Sequence, residues 1–330
     1  NAAIAGIGDS LGRGTILTII IVMFILVIYT GFTSDNFFTK NNFMNILMNM
    51  SSRLVIALGI AGCVITAGCD LSAGRMIGFG ACISGMLLQR MDYSGKFFPD
   101  MQPLNVFVVA LIAMLVCAAF GTVTGFFIAY LNVPPFIATL AMMEIVYGIG
   151  LIVTNATPLG GYVEQYTNVS NGKFLGINYL IWIAIIVAAI TWFIFNMTRH
   201  GKYMYAIGGN PQAAEVAGVP VKATLILIYM KAAAMYGLAG FMLGAKAGGA
   251  SVQTGYGYEM EAIAACTIGG VSVTGGRGKV SSAIIGVAVF ELLKVALQYL
   301  GMNANAQYIA IGVVIFIAIS LDIRKYIARK

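Results

Sequence analysis

The chain has 330 residues, 60% of them hydrophobic and only 9% charged, with 40 Gly and a mean hydropathy of +0.90. A soluble domain carries about 25% charged residues, so the composition excludes a water-soluble globule and defines an all-α polytopic membrane protein. The formal charge of +7 comes from basic residues scattered at helix ends, which excludes a nucleic-acid surface.

A membrane-crossing helix needs roughly 20 apolar residues to span about 30 Å of hydrocarbon, and about ten such segments are expected here. The first runs from Gly14 to Phe32. No cleavable signal peptide precedes it, and a chain that opens on Asn1 instead of Met is expected to begin inside a longer one. A polar patch, Thr33 to Asn45, leads to the second, Leu54 to Thr66, which is short unless Phe43 to Ser52 extends it. After the Gly-rich break Gly68 to Gly74 comes the third, Met76 to Leu88. The fourth, Leu104 to Leu131, ends in a tight turn at Asn132 to Pro135. The fifth, Phe136 to Val153, contains Glu144 and is followed by a loop, Thr154 to Asn178. The sixth is Tyr179 to Phe195. The seventh, Ala223 to Ala245, contains Lys231. The eighth, Met260 to Ile268, is too short for a full crossing and breaks at Gly269-Gly270. The ninth, Val280 to Leu300, contains Glu291 and Lys294. The tenth, Tyr308 to Leu321, ends in a basic tail.

Ten crossings put both termini on one face. That face carries eleven Lys and Arg (Arg13, Arg75, Arg199, Lys202, Lys222, Arg277, Lys279, Arg324, Lys325, Arg329, Lys330) against six on the other (Lys40, Arg53, Arg90, Lys96, Lys173, Lys246). The excess places both termini in the cytoplasm.

Between the sixth and seventh spans lies a polar stretch, Arg199 to Lys222, with its own helix signal. Asn210 suits an N-cap, and Pro211 suits the first helical position, where its missing N–H costs nothing. Gln212 to Ala217 is Ala-rich, Gly218 can end the turn in the left-handed conformation, and Pro220 blocks continuation. A helix this short is marginal in water alone, so something should pack against it.

Ala67 to Arg75 echoes Gly269 to Arg277, with Gly, Gly and Arg identical at 68/270, 74/276 and 75/277. Gly-interrupted helices in corresponding halves mark the pathways of many transporters. Ionisable residues inside spans are functional candidates. Glu291 and Lys294 share a helix face and are expected to pair locally. Glu144 and Lys231 could pair across the bundle or face a wet pathway, and Glu259 and Glu261 open the short eighth segment.

Catalytic signatures are missing. Gly270 to Gly276 has the glycine spacing of a nucleotide loop but lacks its Lys, and Gly278-Lys279 is followed by Val280. One His, expected to be exposed beside Arg199, excludes a multi-His metal site and a His-based triad. Cys63, Cys69, Cys82, Cys117 and Cys266 lie in apolar runs and read as small buried hydrophobes.

The chain resembles the permease subunits of sugar-importing ABC transporters, the ribose and galactose group, and within it the galactose/methyl-galactoside members of bacterial inner membranes. The resemblance rests on Gly68-Cys69-Asp70-Leu71-Ser72-Ala73-Gly74, on Ala206 to Ala214 with Gly218-Val219, on Ala129 to Ile137, and on Ala262 to Cys266 with Gly269 to Ser272. It runs from about Asn36 to the tail.

The resemblance implies one permease domain over residues 1–330, of the large fold similar to the vitamin B12 permease. It implies a homodimer, a partner ATPase chain with two nucleotide-binding cassettes holding ATP and Mg, and an extracytoplasmic binding protein that delivers a monosaccharide, galactose, methyl galactoside or glucose. This chain would bind no cofactor and would not be an enzyme. Asn210, Pro211, Ala213, Ala214, Glu215, Ala217 and Gly218 would form the coupling helix, with Ala213, Ala214 and Ala217 entering a groove of the ATPase. Thr66, Asp70, Ser72, Thr267, Ser272 and Thr274 suit a sugar passage by residue type, although Asp70 equally suits a helix N-cap.

Two other classes compete with this reading. An ion-coupled secondary transporter of a small polar solute would explain Glu144, Glu261 and Lys231 but not a capped helix in the cytoplasm. An integral-membrane enzyme would need a catalytic cluster at the interface, which scattered carboxylates do not make.

Overall fold

The computed structural model describes residues 25–34 and 36–327. Most of the first expected span therefore lies outside the described residues, as do Arg13, Arg329 and Lys330; its end is helical over residues 25–33 (α1).

The core is built on α2 (Lys40–Ile65) and α10 (Val221–Ala247). Thr39 starts α2 by accepting the Asn42 amide, and the helix runs unbroken through the stretch expected to be an amphipathic approach. From Leu54 to Ile65 it is buried on every side, the mark of a helix enclosed by others. The enclosure depends on small residues. Gly59 of α2 faces Ala232 and Tyr236, whereas Gly121 and Gly125 of α4 (Val106–Tyr130) lie on the α10 backbone at Tyr229 and Ile226. Between membrane helices such close approach is a main source of attraction.

Outside this core, α4, α5 (Pro135–Thr154) and α7 (Tyr179–Met197) bury only a minority of their residues. They present Phe107, Leu115, Ile152 and Phe193 outward, as lipid-facing helices do. Asn132 and Asn155, at the ends of α4 and α5, take up the left-handed backbone that turns the chain. Six described helices are long and apolar enough to cross a membrane: α2, α4, α5, α7, α10 and α12 (Val280–Tyr299).

Two short helices begin at mid-depth. After α2 the chain turns back and starts α3 (Ala73–Leu87) beside the middle of α10, where Gly80 meets Gly237 and Gly240 meets Ile77. After α10 it returns through residues 248–257 and starts α11 (Tyr258–Gly269) beside Gly74, whose Cα lies against Glu259. They run to opposite ends. Beyond α3, Gln89 donates to the Gly160 carbonyl (3.0 Å) next to Leu159, which pairs with Ala250 after α10. Beyond α11, Gly276 donates to the Ile65 carbonyl (2.8 Å) at the end of α2. The structural counterpart of the first break is thus residues 248–257. The segment Gly269 to Arg277, paired with it by sequence likeness, is instead a loop in which Gly270, Gly275 and Gly276 have positive φ, and it packs against the first break at one end of the bundle.

Two stretches expected to be loops are ordered. Residues 154–178 contain α6 (Glu164–Asn171) and a two-stranded hairpin, β1 (Lys173–Phe174) with β2 (Ile177–Asn178). The stretch before Asn210 is itself helical, α8 (Arg199–Gly209), followed by α9 (Pro211–Val216). The last described helix is α13 (Ala304–Ile327).

Candidate coupling segment and membrane pathway

The polar stretch between α7 and α10 is an elbow of two helices. Thr198 ends α7 and caps α8 by accepting the Gly201 amide. The buried face of α8 is Gly201, Met204, Ile207 and Gly208. Gly208 lies directly on the Ile65 carbonyl and the Gly276 amide, and the Tyr205 hydroxyl donates to the Gly278 carbonyl (2.8 Å). The helix signal in the sequence begins only at Asn210; α8 forms ahead of it because Gly201 and Gly208, poor helix formers by themselves, permit close packing here.

The end of α8 is therefore fastened to the end of α2 and to the 270–279 loop at once. His200, at the start of α8, is half-buried instead of exposed. Burial and the neighbouring charge of Lys231 push its imidazole down to about 4, so it is neutral at physiological pH.

Helix α9 hangs from this base. The Asn210 side chain accepts the Ala213 amide (2.9 Å), Pro211 occupies the first turn, and Gly218 at φ 83° closes the end. Ala214 points inward and is 4% exposed, whereas Val216 points outward and is 91% exposed. The expected docking face needs this correction: Ala214 packs within the chain. The residues free to enter a partner are Pro211, Gln212, Ala213, Glu215, Val216 and Ala217.

The hydroxyls expected along a passage are engaged with nearby groups. Thr66 donates to the Cys63 carbonyl (2.9 Å) and Thr267 to the Ile263 carbonyl (2.8 Å). Ser272 and Thr274 bond each other (2.8 Å) in the loop after α11. Asp70 is 2% exposed and accepts from the backbone and hydroxyl of Ser72. It closes the turn that begins α3 two residues ahead of the cap position, with the Tyr236 ring beside it.

The intramembrane charges are arranged differently from expectation. Glu291 and Lys294 do not pair with each other. Glu291 pairs with Arg53 of α2, Lys294 with Glu261 of α11 (2.7 Å), and Arg53 also approaches Glu261 (3.5 Å). Packing three helices together turned both side chains toward nearer partners than the one on their own helix. Among the described residues Glu144 and Lys231 make no ion pair: Glu144 is exposed on α5, and Lys231 lines a small cavity with His200.

A polar cluster that the sequence did not flag lies at mid-depth, where α3, α5 and the 248–257 segment meet. The Arg75 guanidinium sits over the rings of Tyr147 (4.0 Å) and Tyr256 (4.5 Å). It donates to Gln253 (2.8 Å), whose amide donates to the Tyr147 hydroxyl (3.0 Å). By sequence Arg75 reads as a loop charge, and its signals are its place just after the Asp-Leu-Ser-Ala-Gly run and its identity with Arg277 in the echo of that segment. The cysteines are free, and among the described residues no group of acidic, His or Cys side chains is set to hold a metal.

Long buried helices, half-length helices starting at mid-depth and a capped helix projecting from one end define a polytopic membrane transport subunit. The chain belongs to the family described as branched-chain amino acid transport system / permease component, whose profile matches residues 42–319. It is 40% identical over 327 residues to the galactose/methyl galactoside import permease protein MglC of Escherichia coli, covering 97% of this chain and 96% of that one. It is 41% identical to MglC of Haemophilus influenzae (94% and 95% covered) and 32% identical to the ribose import permease protein RbsC of Escherichia coli (93% of each). The resemblance seen in the sequence is thereby confirmed. No solved structure matches the chain.

Proposed function

We propose that this chain is the membrane-spanning subunit of an ATP-driven importer for a monosaccharide, with galactose or methyl galactoside the first candidates and glucose next. The observation that carries the reading is the 40% identity, over nearly the whole of both chains, to a galactose/methyl galactoside permease. The projecting α9, with Val216 almost fully exposed, supports it by supplying a knob for a separate motor.

In this reading two copies form the permease. A cytoplasmic ATPase with two cassettes holds ATP and Mg, and an extracytoplasmic binding protein hands over the sugar. The chain crosses the inner membrane ten times, counting α1, the half-length α3 and α11, and α13, in the manner of the vitamin B12-type permeases. Both termini and α9 are cytoplasmic. The Lys and Arg bias supports that orientation even without Arg53, Arg75 and Lys246, which lie inside the bundle, because ten then stand against four.

The binding protein selects the sugar, α9 transmits cassette closure, and the Gly208–Ile65–Gly276 junction passes that movement to the end of α2 and to the loop that joins α11 to α12. Reconstitution tests the reading: ATP-dependent galactose uptake into proteoliposomes should require this chain, the ATPase and the loaded binding protein together. Gradient-driven accumulation by this chain alone would replace it with a secondary transporter. Single cysteines at Gln212 and Gln165, in a background without the native five, should label from opposite sides of the membrane.

A further inference from the structure

Ionisable and amide side chains at mid-depth of a membrane protein do not face hydrocarbon; they mark a wet path or a protein contact. The Arg75 cluster fits that rule. Its depth follows from α3, whose next turns pack on Gly237 and Gly240 near the middle of α10. Gln253 and Tyr256 are exposed, Tyr256 by 63%, and the exposed, unpaired Glu144 lies one turn from Tyr147 on α5.

We infer that Arg75, Tyr147, Gln253 and Tyr256 form the station at which the passing sugar is held, an inference that rests on the monosaccharide-importer reading above. An amide has two donor hydrogens and two acceptor lone pairs. Gln253 uses one of each, on Tyr147 and Arg75. One donor and one acceptor remain side by side, the complement of two neighbouring sugar hydroxyls. The Tyr147 hydroxyl accepts from Gln253 and keeps its own proton to donate. Tyr256 offers an aromatic surface to the apolar C–H face of a hexose. Arg75 holds both rings and the amide in place.

The Thr66 and Thr267 hydroxyls have their protons committed to their own helices, whereas this cluster has both donors and acceptors to spare.

The test uses the assembled importer in proteoliposomes with saturating galactose-loaded binding protein. The readout is galactose moved per ATP hydrolysed, a ratio that separates a failure to hold sugar from a failure to assemble. Gln253→Ala and Tyr256→Ala should each lower it about tenfold, the worth of one hydrogen bond or one stacked ring. Tyr256→Phe, which keeps the ring, should stay close to wild type. An unchanged ratio in both alanine variants would overturn the inference and leave the importer reading intact. Absence of ATP-dependent uptake by the wild-type assembly would instead overturn that reading.

Discussion

The four charges Arg53, Glu261, Glu291 and Lys294 sum to zero, and the Glu291 side chain is 2% exposed. Arg53→Met leaves two carboxylates to share Lys294. A charge pair at about 4 Å with an effective dielectric near 20 is worth about 4 kcal/mol. Stripping one partner from a buried pair typically costs about 3–5 kcal/mol, and that is the expected loss. Arg53→Met combined with Glu291→Met removes one charge of each sign and leaves Lys294 on Glu261 at 2.7 Å. The double variant should therefore recover at least about 2 kcal/mol relative to the single one. Unfolding of the purified chain in mixed micelles with increasing dodecyl sulfate, followed by circular dichroism, measures both. A single variant within about 1 kcal/mol of wild type, or a double variant no more stable than the single, would refute the view that these charges act as one neutral unit.

At α9, Val216→Asp should abolish co-purification of the ATPase while leaving the chain folded, because Val216 is exposed; Ala214→Asp should lower expression and melting temperature instead, because Ala214 is buried. Asn210→Ala should cost about 0.5–2 kcal/mol of local stability, read as faster amide exchange across residues 211–216. His200 titrates about 4 in the folded chain against an ordinary 6.5. The unfolded chain therefore takes up the proton first, and stability should hold above pH 6.5 and fall between pH 6.5 and about 4. His200→Gln should flatten that decline in a melting series against pH. Gly208→Ala should loosen the junction with Ile65 and Gly276 and lower the melting temperature, while Gly209→Ala, whose added methyl would meet open space, should be tolerated.

Apolar run lengths placed α4, α5, α7, α10 and α12, because crossing a bilayer forces a pattern that composition reveals, whereas α2 begins at Lys40, well ahead of the apolar run expected from Leu54. The α9 cap was equally legible, since Asn210, Pro211 and Gly218 each suit one position only. What escaped was decided by distant parts of the chain. Gly201 and Gly208 look like breakers until the carbonyls they must approach are known. Arg53, 238 residues from its partner, reads as a loop charge. Glu291 and Lys294 have the spacing of a local pair, but spacing says nothing of the partners that α2 and α11 bring closer. The likeness of the two Gly-Arg segments was real in letters and misleading in space. The true counterpart of the first break, residues 248–257, shares its path through the bundle and not its residues.

The Arg53–Glu291 pair also bears on how the protein is made. Its two halves leave the ribosome 238 residues apart. At typical synthesis rates of about 5–20 residues per second, that is a wait of roughly 10–50 s. For that interval α2 resides in or beside the insertion machinery with a cation whose partners do not yet exist. Premature termination before α11 and α12 would leave this charge permanently unmatched in the bilayer. Truncated chains thus carry their own mark of incompleteness, a lone arginine in an apolar helix, available to membrane quality control before any sugar is transported.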